Sequence, residues 1–190
     1  MEREDWDRRW EERGFHCADD PVGVLAGELE PLPPGYALDL GCGAGRTALW
    51  LADRGWRVTA VDFSGAALSI ARQQGRDVDW VLADVREYEP EPEAYDLALV
   101  LYMHLPSDER RALLARAATS LSSRGTLVVL GHDVENIGTG APGPSNPDVL
   151  YTPESVAAEL EGLAVERAER LTRPAGDATA VDTLVVARKA

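Results

Sequence analysis

Short apolar runs alternate along this chain with segments whose apolar residues recur every three to four positions. The run from Tyr36 to Leu40 stops abruptly at glycines and gives way to Thr47-Ala48-Leu49-Trp50-Leu51-Ala52, which predicts a strand, a tight turn and a helix. Val58 to Val61, Val78 to Ala83, Tyr95 to Leu101 and Thr126 to Leu130 read as four further strands, and Leu163 to Leu171 and Ala180 to Ala187 as two more. Strand and helix taking turns in this way predict an α/β class, a doubly wound sheet with parallel order and right-handed crossovers.

Punctuation refines the picture. A helix from Asp5 to Arg13 carries Trp6 and Trp10 one turn apart on the same face. Asp20-Pro21 starts a second helix, with the acid as cap and proline in the first turn, and Pro31 to Gly35 ends it. Ser107 is expected to cap an amphipathic helix running through Leu113, Leu114 and Leu121. From His132 to Tyr151 the chain is rich in glycine and proline, the length and position of a lid loop. Thr152-Pro153 then restarts a helix.

The chemistry concentrates where the first run ends. Asp39-Leu40-Gly41-Cys42-Gly43-Ala44-Gly45-Arg46 has the spacing G-x-G-x-G, and Arg46 stands where a dinucleotide fingerprint needs its third glycine. Asp39 would repel a pyrophosphate but suits a ligand carrying an ammonium and a sulfonium. Asp62 closes the second run, where a carboxylate can accept both ribose hydroxyls, and Asp84 closes the third, where it can receive an adenine amino group. Read singly, Asp62 is equally a helix cap and Asp84 a turn residue.

Asp39 to Gly45, Val61-Asp62-Phe63-Ser64 and Ala83-Asp84-Val85 resemble the first three cofactor motifs of the class I S-adenosylmethionine-dependent methyltransferases. Tyr95 to Leu101 resembles that family's fourth strand, and Leu121-Ser122-Ser123-Arg124-Gly125 its L-x-P-G-G turn, with Ser123 and Arg124 departing from the pattern. The resemblance implies a three-layer Rossmann-like fold, mostly parallel with one antiparallel strand near the C-terminus. It implies S-adenosyl-L-methionine as cofactor, held by Asp39, Gly41, Cys42, Gly43, Gly45, Asp62, Phe63, Asp84 and Val85. Gly45 to Ala52 and Gly55 to Ser64 are most similar to the small tellurite-resistance-type methyltransferases, which implies a catalytic role for Arg46.

At 190 residues the chain suits one methyltransferase domain. Helices over the crevice would occupy residues 1–34, the cofactor core 35–131, the lid 132–152, and the last helix and strands 153–190. A net charge of −14, from 33 acidic against 19 basic side chains, opposes nucleic acid and anionic membrane. Cys17 and Cys42 imply no disulfide framework, and with a charged N-terminus they point to the cytoplasm. Cysteines and histidines lack metal-site spacing, so no metal is expected.

Methyl transfer needs chiefly proximity and orientation, with a base where the acceptor keeps a proton. His104 follows the fourth strand and is a base or a packing histidine; His132-Asp133 follows the fifth and is an oriented base or two unrelated side chains. Arg46 holds an anionic substrate or pairs within the domain. Trp6 and Trp10 either close over the ligand, Trp10 then touching the cofactor, or dock their helix. Arg173 reaches the site from the last loop or stays outside it. The expected function is methylation of a small molecule, a thiol, metalloid anion, phenol or amine, by a monomer or homodimer. The alternatives are a cofactor-binding module without transfer and a nicotinamide-dependent oxidoreductase.

Overall fold

The computed structural model describes residues 3–13 and 21–190; Cys17 and the expected cap Asp20 lie outside the described residues. Two units are distinguishable, Met1–Glu89 and Pro90–Ala190.

The first unit contains α1 (Arg3–Arg13), α2 (Pro21–Leu29), β1 (Tyr36–Leu40), α3 (Arg46–Ala52), β2 (Arg57–Asp62), α4 (Gly65–Arg72) and β3 (Asp79–Leu82). Its strands are ordered β3-β2-β1 and are parallel, with Leu40 opposite Val61 and Asp62 opposite Leu82. Ala37, Leu38, Leu40, Ala60 and Val61 are fully buried, as are Ala48, Leu51, Leu68 and Ala71 of the helices against them. That explains why β1 and β2 read as continuous apolar runs: a parallel strand buried on both faces leaves no polar alternation.

The second unit contains β4 (Tyr95–Leu101), α5 (Ser107–Ser120), β5 (Leu121–His132), α6 (Pro153–Glu159), β6 (Leu163–Ala175) and β7 (Ala178–Lys189). The order is β4-β5-β7-β6; β4 and β5 are parallel, and β7 is antiparallel to both β5 and β6. The expected antiparallel strand is therefore β7. The last strand of the order, β6, carries Glu166, Arg167, Glu169 and Arg170, charges that discourage pairing with another chain.

Three expectations change. Ser107 is the first helical residue of α5, with Pro106 at the cap position and no side-chain cap bond, because proline's fixed backbone already sets the entry. The strand expected at Thr126 begins at Leu121, and Arg124 takes a φ of 65°, so the conformation a glycine would ease is kept without one. The segment 132–151 is not wholly irregular: single 3-10 turns at Val134–Asn136 and Pro147–Val149 and a bridge between Asp133 and Tyr151 organise it. At its end, Thr152 and Ser155 form the reciprocal capping box that starts α6. No helix among the described residues is long and apolar enough to cross a membrane.

Candidate functional site

In the first unit the glycine turn joins β1 to α3. Gly41, Gly43 and Gly45 all have positive φ, 81°, 54° and 79°, which permits the reversal. Gly45 also has no room for a side chain, since a Cβ there would come within 2.3 Å of the Trp80 ring. Arg46 is the first residue of α3 and is half-buried, so a long side chain is accommodated where a dinucleotide loop would be glycine.

Asp39 is 2% exposed. The Ala48 amide bonds its carboxyl, yet Oδ2 is buried without any hydrogen-bond partner. Burial and then the charge of Asp62 push its pKa up to about 7, against the lesser pull of the Ala48 amide. A buried acceptor left unfilled is costly, and a cationic donor is the group that would satisfy it.

Asp62 sits at the end of β2 and organises the turn. Gly43 N–H donates to Oδ2 and Ser64 N–H to Oδ1, each at 2.8 Å. Burial still raises its pKa, more than these bonds lower it. Ser64 in turn caps α4, accepting from the Ala67 amide. Each carboxylate oxygen retains further lone pairs for a ligand hydroxyl. Cys42 is a free thiol whose pKa burial pushes well up, so it is an inert part of the turn.

Helix α1 is tied to this turn through a residue that the sequence reading passed over. Asp7 Oδ1 accepts from Ser64 Oγ at 2.5 Å and from the Ala66 amide at 3.2 Å, an acid at the start of α4. Trp10 lies on the glycine turn, where a Cβ on Gly43 would stand 2.8 Å from its ring. Asp84 is engaged by the bidentate guanidinium of Arg86, which holds its carboxyl below the usual range. Phe63 is half-buried and Val85 buried.

In the second unit a different set of residues converges. His132 and Asp133 do not pair, because successive strand residues point to opposite faces. Asp133 instead accepts from Thr183 Oγ1 at 2.6 Å and meets Arg170 at 3.1 Å. His132 lies opposite Asp182 in the β5–β7 register, and its Nδ1 is 3.2 Å from Asp182 Oδ1. Asp182 Oδ2 also accepts from Tyr102 O–H at 2.8 Å and from Arg173 Nε–H at 2.7 Å. Burial raises the Asp182 pKa, but three hydrogen bonds and the charge of Arg173 outweigh it and hold the carboxyl below its ordinary value.

His104 stacks on His132, with ring centroids 5.0 Å apart and planes 9° apart. Its Nε2 is buried and unpartnered, and burial, reinforced by His132, lowers its pKa to about 3, with Asp182 opposing. Tyr102 holds a left-handed φ of 51°, uncommon for a bulky residue and typical of strained functional positions. Asp182 and Tyr102 carried no sequence signal; a β-register of fifty residues' separation brings the first to His132.

A family described as a methyltransferase domain matches residues 37–125. The ubiquinone biosynthesis O-methyltransferase of Idiomarina loihiensis is 28% identical over 131 residues, 64% of this chain and 53% of that protein. The trans-aconitate 2-methyltransferase of Paracidovorax citrulli is 31% identical over 112 residues, 57% of this chain and 43% of that protein. The chain thus spans about half or less of the length of these relatives. The crystal structure of TehB from Haemophilus influenzae superposes with a TM-score of 0.75 at 15% identity, covering 97% of this chain and 67% of that one, and shows the Rossmann-like fold. With its glycine turn, its acids at the ends of β1 and β2 and the matched domain, the chain is similar to the class I S-adenosylmethionine-dependent methyltransferase superfamily.

Proposed function

We propose that the protein transfers a methyl group from S-adenosylmethionine to a small molecule. The observation that carries this reading is the buried, unpartnered Oδ2 of Asp39 beside a glycine turn organised by Asp62. A ligand with an ammonium satisfies the first acid, and a ribose fits the acceptor capacity of the second. Gly41, Cys42 and Gly45 shape the turn, Trp10 covers it at Gly43, and Phe63 and Val85 supply apolar contact. Asp84 takes the adenine amino group by sharing its carboxylate with Arg86. When bound, the cofactor supplies an activated methyl carbon on a sulfonium, leaving the chain to orient the acceptor and to handle its proton.

The acidic surface favours a small acceptor over nucleic acid or an anionic membrane, in keeping with a cytoplasmic enzyme, as monomer or homodimer. Arg46 acts from the start of α3 on the reacting groups. Calorimetric titration with S-adenosylhomocysteine tests the reading. Saturable binding to the parent and at least tenfold weaker binding to Asp62→Ala are expected. No binding by the parent, or a thermal shift with NADH and none with S-adenosylhomocysteine, would refute it.

A further inference from the structure

Building on the methyl-transfer reading, we infer that the Asp39 carboxyl carries a proton in the free protein and releases it when the ammonium group of S-adenosylmethionine binds, so that cofactor affinity is coupled to pH. Two carboxyls share one face of the sheet in the first unit. Asp39 lies opposite Ala60 in the β1–β2 register, and Asp62 stands two residues beyond Ala60, so both side chains leave adjacent strands on the same side. Two like charges so placed, both withdrawn from water, oppose each other's ionisation, and one proton stays with the pair.

Hydrogen bonding decides which carboxyl keeps it. Asp62 accepts the Gly43 and Ser64 amides at 2.8 Å each and a further backbone bond from Phe63, donors that favour its ionised form. Asp39 has the Ala48 amide, while its Oδ2 is buried with no hydrogen-bond partner, and Leu38, Ala48 and Ala60 beside it are fully buried. A carboxyl in such surroundings neutralises rather than hold an uncompensated charge. Burial and then the charge of Asp62 accordingly push Asp39 up to about 7. The other charged and titratable groups around the turn leave this balance in place. The Cys42 thiol keeps its own proton, and Asp7 of α1 adds a negative charge that acts on Asp62. Arg72 of α4, a cation whose charge reaches Cys42, is exposed and donates to the Trp80 carbonyl.

The exchange balances. On binding, the O–H bond of Asp39 breaks with its electron pair left on oxygen, the proton passes to solvent, and the carboxylate accepts the ligand ammonium in its stead. One positive charge leaves the turn as another arrives, so the buried charge is unchanged and nothing is oxidised or reduced. A cation beside the carboxylate lowers its pKa, so below about pH 7 the ligand must displace a proton and affinity falls. Above that pH the carboxylate is already formed and affinity levels off. S-adenosylhomocysteine keeps the same ammonium, so replacing product by fresh cofactor moves no proton at Asp39. The coupling therefore acts on the affinity for either ligand and leaves the methyl-transfer step untouched.

The test is calorimetric titration with S-adenosylhomocysteine between about pH 5.5 and pH 7.5, below the titration of an α-amino group at about 8. Two buffers of different ionisation enthalpy give the number of protons exchanged. The parent is expected to release close to one proton per ligand bound at about pH 6, the number declining above pH 7, and to lose affinity by about tenfold or more from pH 7.5 to pH 5.5. Asp39→Asn is expected to release no proton, to bind more weakly than the parent at pH 7.5 and to approach it at pH 5.5. Should Asp39→Asn fail to fold, Asp39→Ser takes its place, and the proton count of the parent is read in either case. Parent binding without proton release, an affinity constant across the window, or a release that persists in the Asp39 variant, as it would if Asp62 held the proton, overturns the inference. If S-adenosylhomocysteine fails to bind the parent at every pH, the methyl-transfer reading falls instead.

Discussion

Asp39 shows how a single buried carboxyl couples stability to pH. Its pKa is raised from 3.8 to about 7 in the fold, first by burial and then by Asp62. The folded chain therefore keeps a proton that the unfolded chain has already lost between about pH 4 and pH 7, so stability falls as pH rises through that window and the full cost persists above it. The size is on the order of a few kcal/mol. Asp39→Asn should flatten this dependence, and thermal melts at pH 5 and pH 8 should show a smaller loss for the variant than for the parent. The same substitution should weaken S-adenosylhomocysteine binding, because the amide cannot offer the ammonium a full charge. An equal loss of melting temperature in variant and parent would show that Asp39 does not carry the effect. Asp39, Asp62 and Asp84 were legible as candidates because each stands at or near the end of an apolar run. The engagement of Asp84 by Arg86 was not, since two neighbouring charges in a turn carry no record of which way they point.

Elements are held in place by polar devices as well as by apolar faces. In the second unit, Arg110 of α5 and Glu159 of α6 form a bidentate pair at 2.6 and 2.9 Å, with side chains 3% and 5% exposed. The guanidinium also lies over the Tyr151 ring. Removing one partner leaves a buried charge uncompensated, so Glu159→Gln should destabilise by about 3–5 kcal/mol, read from urea unfolding. A loss below about 1 kcal/mol would mean that water reaches the pair. In the first unit, Asp7 and Trp10 dock α1 onto α4 and the glycine turn. Of the two roles considered for Trp10, covering the ligand and docking the helix, its contact with Gly43 shows the second. Helix existence was readable from periodicity and caps, as at Thr152-Pro153. The cap at Ser107 was misplaced by one residue because proline and serine signals overlap there.

At the scale of the molecule, a net charge of −14 acts against compactness. Screening should relieve this self-repulsion, so the melting temperature should rise as sodium chloride increases from a few tens of millimolar to about 0.3 M, where the Debye length falls to several ångströms. A melting temperature indifferent to salt would place the acids in locally compensated pairs. The pattern of apolar runs and glycines, by itself, determined the α/β class and the glycine turn between β1 and α3, because strand burial and turn geometry act on residues close along the chain. It also placed His104 after the fourth strand, whereas His132, expected just beyond the fifth, is the last residue of β5. Only the tertiary structure decided what His132 works with. Asp133, its neighbour, points the other way in the strand, and Asp182 reaches it through antiparallel pairing of β5 with β7. A partner chosen by strand register leaves no mark in local sequence, because the pairing depends on hydrogen bonds along the whole length of both strands.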